Sequence, residues 1–157
     1  MNARYLLVDG HSVIFAWADL RTLHQRNRAA ARKELEDRLR QLHDSTTWRV
    51  TLVLDGTLGG AAPPVSRRGD EMAVIFGSAD QTADSIIERI VAGSGVAEQI
   101  VVVTADHAEQ SLVESLGATT STPEWLREEL ARQDAALHER LQHVHRGARW
   151  SGKPGQD

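Results

Sequence analysis

The 157-residue chain contains no cysteine. A disulfide framework, a thiolate nucleophile and a cysteine zinc site are therefore excluded. Lysine is almost absent as well, because only Lys33 and Lys153 stand beside 16 arginines. Arginine suits phosphate recognition, but a bias in genomic base composition explains the same preference. The absent residue types therefore exclude several kinds of site but do not indicate a function.

The sequence also lacks an excess of positive charge and a long apolar run. Its net charge of -4 and pI near 6.0 provide no general attraction to a polyanion, so nucleic-acid binding would need a local basic patch. The N-terminal "MNARYLLVDGHS" reaches an acid and a glycine after an apolar run too short for a signal peptide. We expect a soluble, cytoplasmic protein with no membrane contact. Its oligomeric state stays open.

Three short apolar runs each end in an aspartate. They are "YLLVD" at 5–9, "VTLVLD" at 50–55 and "IVVVTAD" at 100–106. Continuous, β-branched runs are typical of strands buried on both faces of a parallel sheet. Further strand candidates are "MAVIF" at 72–76 and, more weakly, "ATTST" at 118–122.

Helical patterns lie between these strands. Residues 28–44 place Leu35, Leu39 and Leu42 on one face, and Pro123 opens the last helix. "DQTADSIIERIVAG" is predicted to begin after Ser78 as N-cap and to end near Gly93. The alternation of strands and helices predicts an α/β layer fold.

Two segments have irregular composition. Residues 56–70 contain many glycines and prolines and predict a mobile surface loop. Residues 146–157 are polar and predict a disordered tail, which leaves one domain over residues 1–145.

Acidic side chains follow the predicted strands at their carboxyl ends, where ligands bind in open α/β sheets. If the first strand is central, Asp9, Asp55 and Asp106 share one edge, and the helix after the fourth strand brings Asp84 towards them. Neighbouring carboxylates raise one another's pKa, and a hard divalent cation removes that difficulty. The pattern therefore favours a Mg²⁺-type site.

Each acid also has a simpler interpretation. Aspartate after a strand often caps the next helix, and acids in a first helical turn favour the macrodipole without any metal. Asp80, Asp84 and Glu88 would form an acidic stripe on one helix, where Glu88 is better explained as solvated or paired with arginine.

Several stretches resemble a known family. They are "LLVDGHSVIFAW", "VTLVLDG", "VIFGSADQTADSIIERIV" and "VVVTADHAEQSLVESLGATTSTPEWLREEL", which together cover most of the chain to about residue 130. They resemble the YacP-like branch of the NYN domains, which are nucleases of the PIN-like fold. The resemblance implies a single-domain, Rossmann-like α/β/α sandwich of three layers, with a mainly parallel sheet of 4–5 strands.

The resemblance also implies an activity, namely a metal-dependent endoribonuclease in which a metal-activated water attacks the phosphodiester. Asp9, Asp84 and Asp106 would hold Mg²⁺ or Mn²⁺, and Asp55 would be the fourth catalytic acid. Cleavage would leave 5′-phosphate and 3′-hydroxyl ends. The implied partner is RNA, single-stranded or mRNA, and similarity to ribosome-associated RNA-cleaving enzymes makes the ribosome a candidate partner.

The chain departs from the family where Tyr-Asn usually follows the first Asp-Gly, because it has His11 and Ser12. Ser12 can replace Asn as a polar partner of a metal-bound water. We expect substrate contacts from His11, Ser12, Arg67 and Arg68, although a surface role for His11 stays open. Trp17 is a candidate for base stacking or for the core.

One other function class competes with the nuclease, and the sequence disfavours two more. A catalytically silent RNA- or ribosome-binding module would keep the scaffold without cleaving, and the His11-Ser12 pair favours it. A small-molecule phosphatase of the haloacid-dehalogenase type would need a second aspartate where His11 stands, and a dinucleotide-binding domain would need a glycine fingerprint that is missing.

Overall fold

A computed structural model describes residues 5–55, 65–66, 72–78 and 81–151. The elements, in chain order, are β1 (Tyr5–Asp9), α1 (Gly10–Ala16), α2 (Ala18–Arg26), α3 (Arg28–Ser45), β2 (Arg49–Leu54), β3 (Val65–Ser66), β4 (Ala73–Phe76), α4 (Ala83–Gly93), a 3₁₀ turn (Ala97–Gln99), β5 (Ile100–Val103), α5 (His107–Ser115), β6 (Thr119–Ser121) and α6 (Pro123–Ser151). No helix within these ranges is long and apolar enough to span a bilayer.

One sheet joins the strands in the order β3-β4-β2-β1-β5-β6. Five of them are parallel, and only the short edge strand β3 runs antiparallel, against β4. The predicted α/β class and the central position of β1 between β2 and β5 are confirmed. The carboxyl ends of the three strands that precede Asp9, Asp55 and Asp106 therefore lie side by side.

Helices cover both faces of the sheet. Leu6 and Val8 of β1 pack into a core with α1, α3 and α6, whereas Leu7 between them packs into a second core with α4 and α5. This alternation follows from the two-residue period of a strand. The predicted leucine face of α3 is fully buried against the sheet. The three-layer prediction is thereby confirmed.

The predicted start of α4 is wrong. The helix begins at Ala83 rather than after Ser78, and its N-cap is Thr82, whose hydroxyl accepts from Ser85 N at 3.4 Å. Thr82 has extended backbone angles, as an N-cap requires. Asp84 and Glu88 of the predicted acidic stripe lie on this helix, and Asp80 lies outside the described residues.

The predictions for the two irregular segments are largely untested. Most of residues 56–70, expected to form a mobile loop, lies outside the described ranges, and Val65–Ser66 form β3 within it. The backbone of α6 continues to Ser151, so it enters the segment expected to be a tail. The division into a domain over 1–145 and a tail over 146–157 stays a prediction.

Gly10→Ala should destabilise the protein, because α1 begins against β2 at this residue. A Cβ at Gly10 would overlap the side chain of Leu54, which is 1 % exposed, and would lie 3.1 Å from the carbonyl oxygen of Val53. Overpacking of this kind costs about 1 to 3 kcal/mol. Chemical denaturation measures the loss, and Gly93→Ala is the matched control, since no atom lies within 4 Å of its added Cβ. Equal stability of the two variants would contradict the prediction.

Candidate functional site

Asp9 ends the central strand and is buried. It is 7 % exposed, and its carboxylate caps α1 by accepting from Ser12 N at 3.4 Å. The hydroxyls of Ser12 and Thr104 also lie 3.3 Å from its second oxygen. Burial raises the pKa of Asp9, and the negative charge of Asp55 acts in the same direction. The capping interpretation is thus correct for Asp9, but it leaves a carboxylate held in a poorly solvated position.

Ser12 and Thr104 connect the ends of β1 and β5. Their hydroxyl oxygens are 3.1 Å apart, and Ser12 Oγ accepts from Ala105 N at 3.2 Å. Thr104 is fully buried, and its hydroxyl accepts from Asp106 N at 3.1 Å. Ser12 therefore orients Asp9 against the neighbouring strand. Its expected contact with substrate stays a prediction.

Glu109 is the acid that the sequence prediction missed. It lies on α5 with 3 % exposure, and neither of its carboxylate oxygens has good hydrogen-bond geometry to a partner in the described part of the chain, although the side chains of Thr104 and Asp9 lie close enough to affect its pKa. Burial, and then the charge of Asp9, raise the pKa of Glu109 to about 8, and the charge of Asp84 adds to this. Asp9 and Glu109 consequently form a buried acidic pair, and neither carboxylate has a salt bridge within the described part of the chain.

The sequence around Glu109 contains two conflicting signals, of which the second indicates a buried acid. With Asp106 as N-cap, Glu109 occupies the position where a glutamate completes a capping box, which predicts a solvent-facing side chain. Val113 stands four residues later and is fully buried. Because residues four apart share a helix face, Glu109 lies on the buried face of α5. A glutamate on an apolar helix face is the pattern that indicates a functional acid.

Asp55 links the end of β2 to α4. Its carboxylate accepts from Ala83 N at 2.5 Å, so it caps α4 from a neighbouring strand. His11 Nδ1 lies 3.2 Å from the other Asp55 oxygen, with both side chains about 30 % exposed. Asp55 therefore occupies the predicted edge next to Asp9, and His11 is its neighbour there.

Asp84 and Asp106 are both exposed residues in the first turns of their helices or just before them. Asp84 Oδ1 accepts from Ser85 N at 3.1 Å and also contacts the Thr82 hydroxyl. Asp106 caps α5 by accepting from Ala108 N at 2.9 Å and Glu109 N at 3.3 Å. Asp84 is close enough to act on the pKa of Glu109. The predicted roles of both acids remain untested.

Other predicted contacts have mixed outcomes. Arg67 and Arg68 lie outside the described residues. Trp17 is 2 % exposed and its indole nitrogen donates to Pro123 O at 2.9 Å, so it belongs to the core and ties α1 to α6. Lys33 pairs with Asp37 at 2.7 Å, one turn along α3. Trp17 is therefore not available for base stacking, whereas Lys33 keeps an exposed side chain.

The buried acids fit a divalent cation by their chemistry. Within the described ranges no three His, Asp or Glu side chains gather closely enough to enclose one ion, so the predicted ligands Asp9, Asp84 and Asp106 do not form such a group. Mg²⁺, however, commonly uses one or two carboxylates and fills its other positions with water and substrate phosphate. Asp9 and the unpartnered oxygens of Glu109 provide that pair.

Comparison with known proteins identifies the family. Residues 6–153 match the YacP-like NYN domain. The chain belongs to the YacP-like NYN domain family. The protein YacP of Bacillus subtilis (strain 168) is 29 % identical over 140 residues, which are 88 % of this chain and 82 % of that protein.

Crystal structures of Rae1 (YacP) from Bacillus subtilis have the same fold as this member of the YacP-like NYN family. One matches with a TM-score of 0.77 and 28 % identity, covering 98 % of this chain and 86 % of the other. Its W164L mutant matches with a TM-score of 0.77 and 27 % identity, covering 90 % and 84 %. NYN domains are of the nuclease type, which is consistent with a ribonuclease, and such nucleases are usually metal-dependent.

Proposed function

We propose that this protein is a metal-dependent endoribonuclease that hydrolyses RNA phosphodiester bonds. The observation that supports it best is the buried pair of Asp9 and Glu109 at the carboxyl edge of the sheet in a chain of the NYN family. A fold without a ligand at this edge gains nothing from two buried carboxylates that repel each other. The pair is therefore better explained by a bound cation than by stability.

The residues divide into holding and orienting groups. Asp9 and Glu109 would hold Mg²⁺ or Mn²⁺ directly, and the other predicted ligands, Asp84 and Asp106, would act on the ion through bound waters. Such an ion lowers the pKa of the attacking water and neutralises charge on the phosphoryl oxygens. Ser12 and Thr104 fix the Asp9 carboxylate through hydroxyl contacts of 3.3 Å.

The other named residues act at the rim of the site. Asp55 is the fourth catalytic acid and positions the start of α4 through its bond to Ala83 N. His11 lies at the Asp55 carboxylate, where it is able to contact a substrate phosphate. Arg67 and Arg68, which lie outside the described residues, are proposed to bind substrate phosphates. The substrate is single-stranded RNA or mRNA in the cytoplasm, with the ribosome as a candidate partner.

One observation favours a second function, a silent RNA- or ribosome-binding module. The predicted metal ligands Asp9, Asp84 and Asp106 do not gather around one point, and His11-Ser12 replaces the usual family pair. A silent module would bind RNA but leave it intact at any metal concentration. An RNA cleavage assay therefore separates the two functions.

The test is a cleavage assay on a labelled single-stranded RNA. We expect cleavage in millimolar Mn²⁺ or Mg²⁺ and none in EDTA, because two carboxylates alone cannot neutralise the charge that develops on the phosphate. The products should carry 5′-phosphate and 3′-hydroxyl ends, as hydrolysis by attacking water requires. Intact RNA under every condition, with RNA still bound, would support the silent module instead.

A further inference from the structure

An exposed aromatic cluster lies beside the acidic edge. Phe15 on α1 is 47 % exposed, and its ring stacks at 5.9 Å on His11 and meets His24 edge-on at 5.0 Å. His11 and His24 are themselves 6.4 Å apart. A single exposed apolar residue needs no explanation. The three rings pack together, and the central ring of Phe15 keeps about half its surface in water, so it offers a preorganised aromatic contact.

The cluster is directly continuous with the candidate site. His11 Nδ1 is 3.2 Å from the Asp55 carboxylate, and His11 follows Asp9 by two positions at the start of α1. Arg21 donates to Phe15 O at 3.0 Å and so holds the end of α1 in place. A flat ligand on Phe15 would therefore lie beside the acids, with its attached backbone able to reach them.

Positive charge surrounds the far side of the cluster. Arg28 and Arg32, in the first turns of α3, lie close enough to His24 to lower its pKa further after burial has lowered it. The Nε atom of Arg32 is buried and has no hydrogen-bond partner in the described part of the chain. Lys33 beside it, by contrast, is paired with Asp37. Aromatic rings next to the arginine side chains of α3 suit an anionic polymer with flat groups.

We propose that Phe15, His11 and His24 form a stacking platform for one unpaired base of single-stranded RNA, and that Arg28 and Arg32 contact the adjacent phosphates. This inference rests on the proposed function, since it assigns the substrate of the same site. Bases in a duplex have both faces covered by their neighbours, so only an unpaired base can stack on Phe15. The platform would thus make the enzyme select single strands.

Binding is measured by fluorescence anisotropy of a short labelled single-stranded RNA in Ca²⁺, with the RNA checked for integrity on a gel. Loss of one stacked base weakens binding roughly 5- to 100-fold, so Phe15→Ala should raise Kd by that factor. Phe15→Trp keeps a ring and should stay within about threefold of wild type. Leu141→Ala, which removes another apolar side chain of 56 % exposure, is the control and should change nothing. Arg28→Gln should reduce the slope of log Kd against log salt concentration by about one, since it removes one phosphate contact.

The outcomes separate the platform from the nuclease. If Phe15→Ala weakens RNA binding but no form of the protein cleaves RNA, the platform holds and the endoribonuclease proposal fails. If cleavage occurs and Phe15→Ala leaves both Kd and KM unchanged, the nuclease holds and the platform is wrong. Equal affinity of the wild type for duplex and single-stranded RNA, or no affinity for either, would also overturn the platform. Melting curves confirm that each variant is folded.

Discussion

Replacing Glu109 by glutamine should stabilise the metal-free protein and remove most of its activity. Glu109 is 3 % exposed, and its carboxylate oxygens have no hydrogen-bond partner among the described residues. Leaving a buried polar group unsatisfied costs about 1 to 3 kcal/mol, and more for a charge. The neutral amide lessens this cost and also removes the repulsion from Asp9. The melting temperature in EDTA should therefore rise by a few degrees, since about 1 kcal/mol corresponds to roughly 2 to 4 °C at this chain length.

The pH dependence of this effect has a definite sign. The pKa of Glu109 is about 8 in the folded protein and near 4.5 when unperturbed. Between these values the native state binds more protons than the unfolded state, so the free energy of unfolding falls as pH rises. The difference between wild type and Glu109→Gln should consequently grow from about pH 4.5 to about pH 8. A difference that shrinks over this range would contradict the assignment.

Metal should stabilise the wild type more than Glu109→Gln. A cation that binds only the native wild type adds stability by mass action, so millimolar Mg²⁺ or Mn²⁺ should raise its melting temperature more than that of Glu109→Gln. Cleavage by the variant should fall at least about 100-fold, because a metal ion contributes several kcal/mol to the transition state. Glu114→Gln, an exposed glutamate on the same helix, is the control. Equal metal-induced shifts in wild type and Glu109→Gln would exclude Glu109 as a ligand.

The strands and the acids at their ends could be predicted from the sequence, whereas the burial of Glu109 could not. Strand positions follow from continuous apolar runs, and burial of those runs places β1 in the centre of the sheet. The strand-terminal acids then meet at one edge for topological reasons alone. Glu109 comes from inside a helix, where capping and burial interpretations of the same residue compete. Only the packing of α5 against the sheet decides between them.

Contacts between distant parts of the chain explain the remaining differences between prediction and structure. Ser78 and Thr82 are equally good N-caps by residue type, but Asp55 accepts from Ala83 N and so fixes the helix start from another strand. Phe15 belongs to the apolar run of α1, yet it is 47 % exposed whereas its neighbour Ile14 is fully buried. Long-range contacts of this kind are not encoded in any short stretch of sequence. Tertiary contacts also determine the burial of Glu109 and the exposure of Phe15, on which the functional proposals depend.

Ser12 shows how the departure from the family pattern can preserve the site. Its hydroxyl contacts Asp9, Thr104 and Ala105 N, so it uses both donor and acceptor capacity to join two strand ends. An asparagine at this position would offer a donor and an acceptor on separate atoms. Serine therefore supplies similar hydrogen bonding from one oxygen. We infer that this replacement alone is no reason to expect an inactive protein.

Asp84→Asn should abolish metal-dependent RNA cleavage while leaving the fold intact. Asp84 is exposed at the start of α4 and lies close enough to Glu109 to raise its pKa, so its charge acts on the buried pair. Asparagine keeps the acceptor for Ser85 N and loses only the favourable charge at the helix start, which is worth about 0.3 to 1 kcal/mol. Stability should barely change, whereas cleavage should fall at least about 100-fold.

Glu88→Gln is the matched control for this prediction, because it neutralises an acid one turn further along the same helix. It should cleave like the wild type, since the charge of Asp84 acts on the pKa of Glu109 and Glu88 lies one turn further from the start of α4. All three proteins are purified in parallel and assayed on the same single-stranded RNA in Mn²⁺. Equal cleavage by wild type and Asp84→Asn would point to a contaminating nuclease or to a different catalytic centre. Loss of activity in Asp84→Asn alone would place its carboxylate in the same functional unit as Asp9 and Glu109.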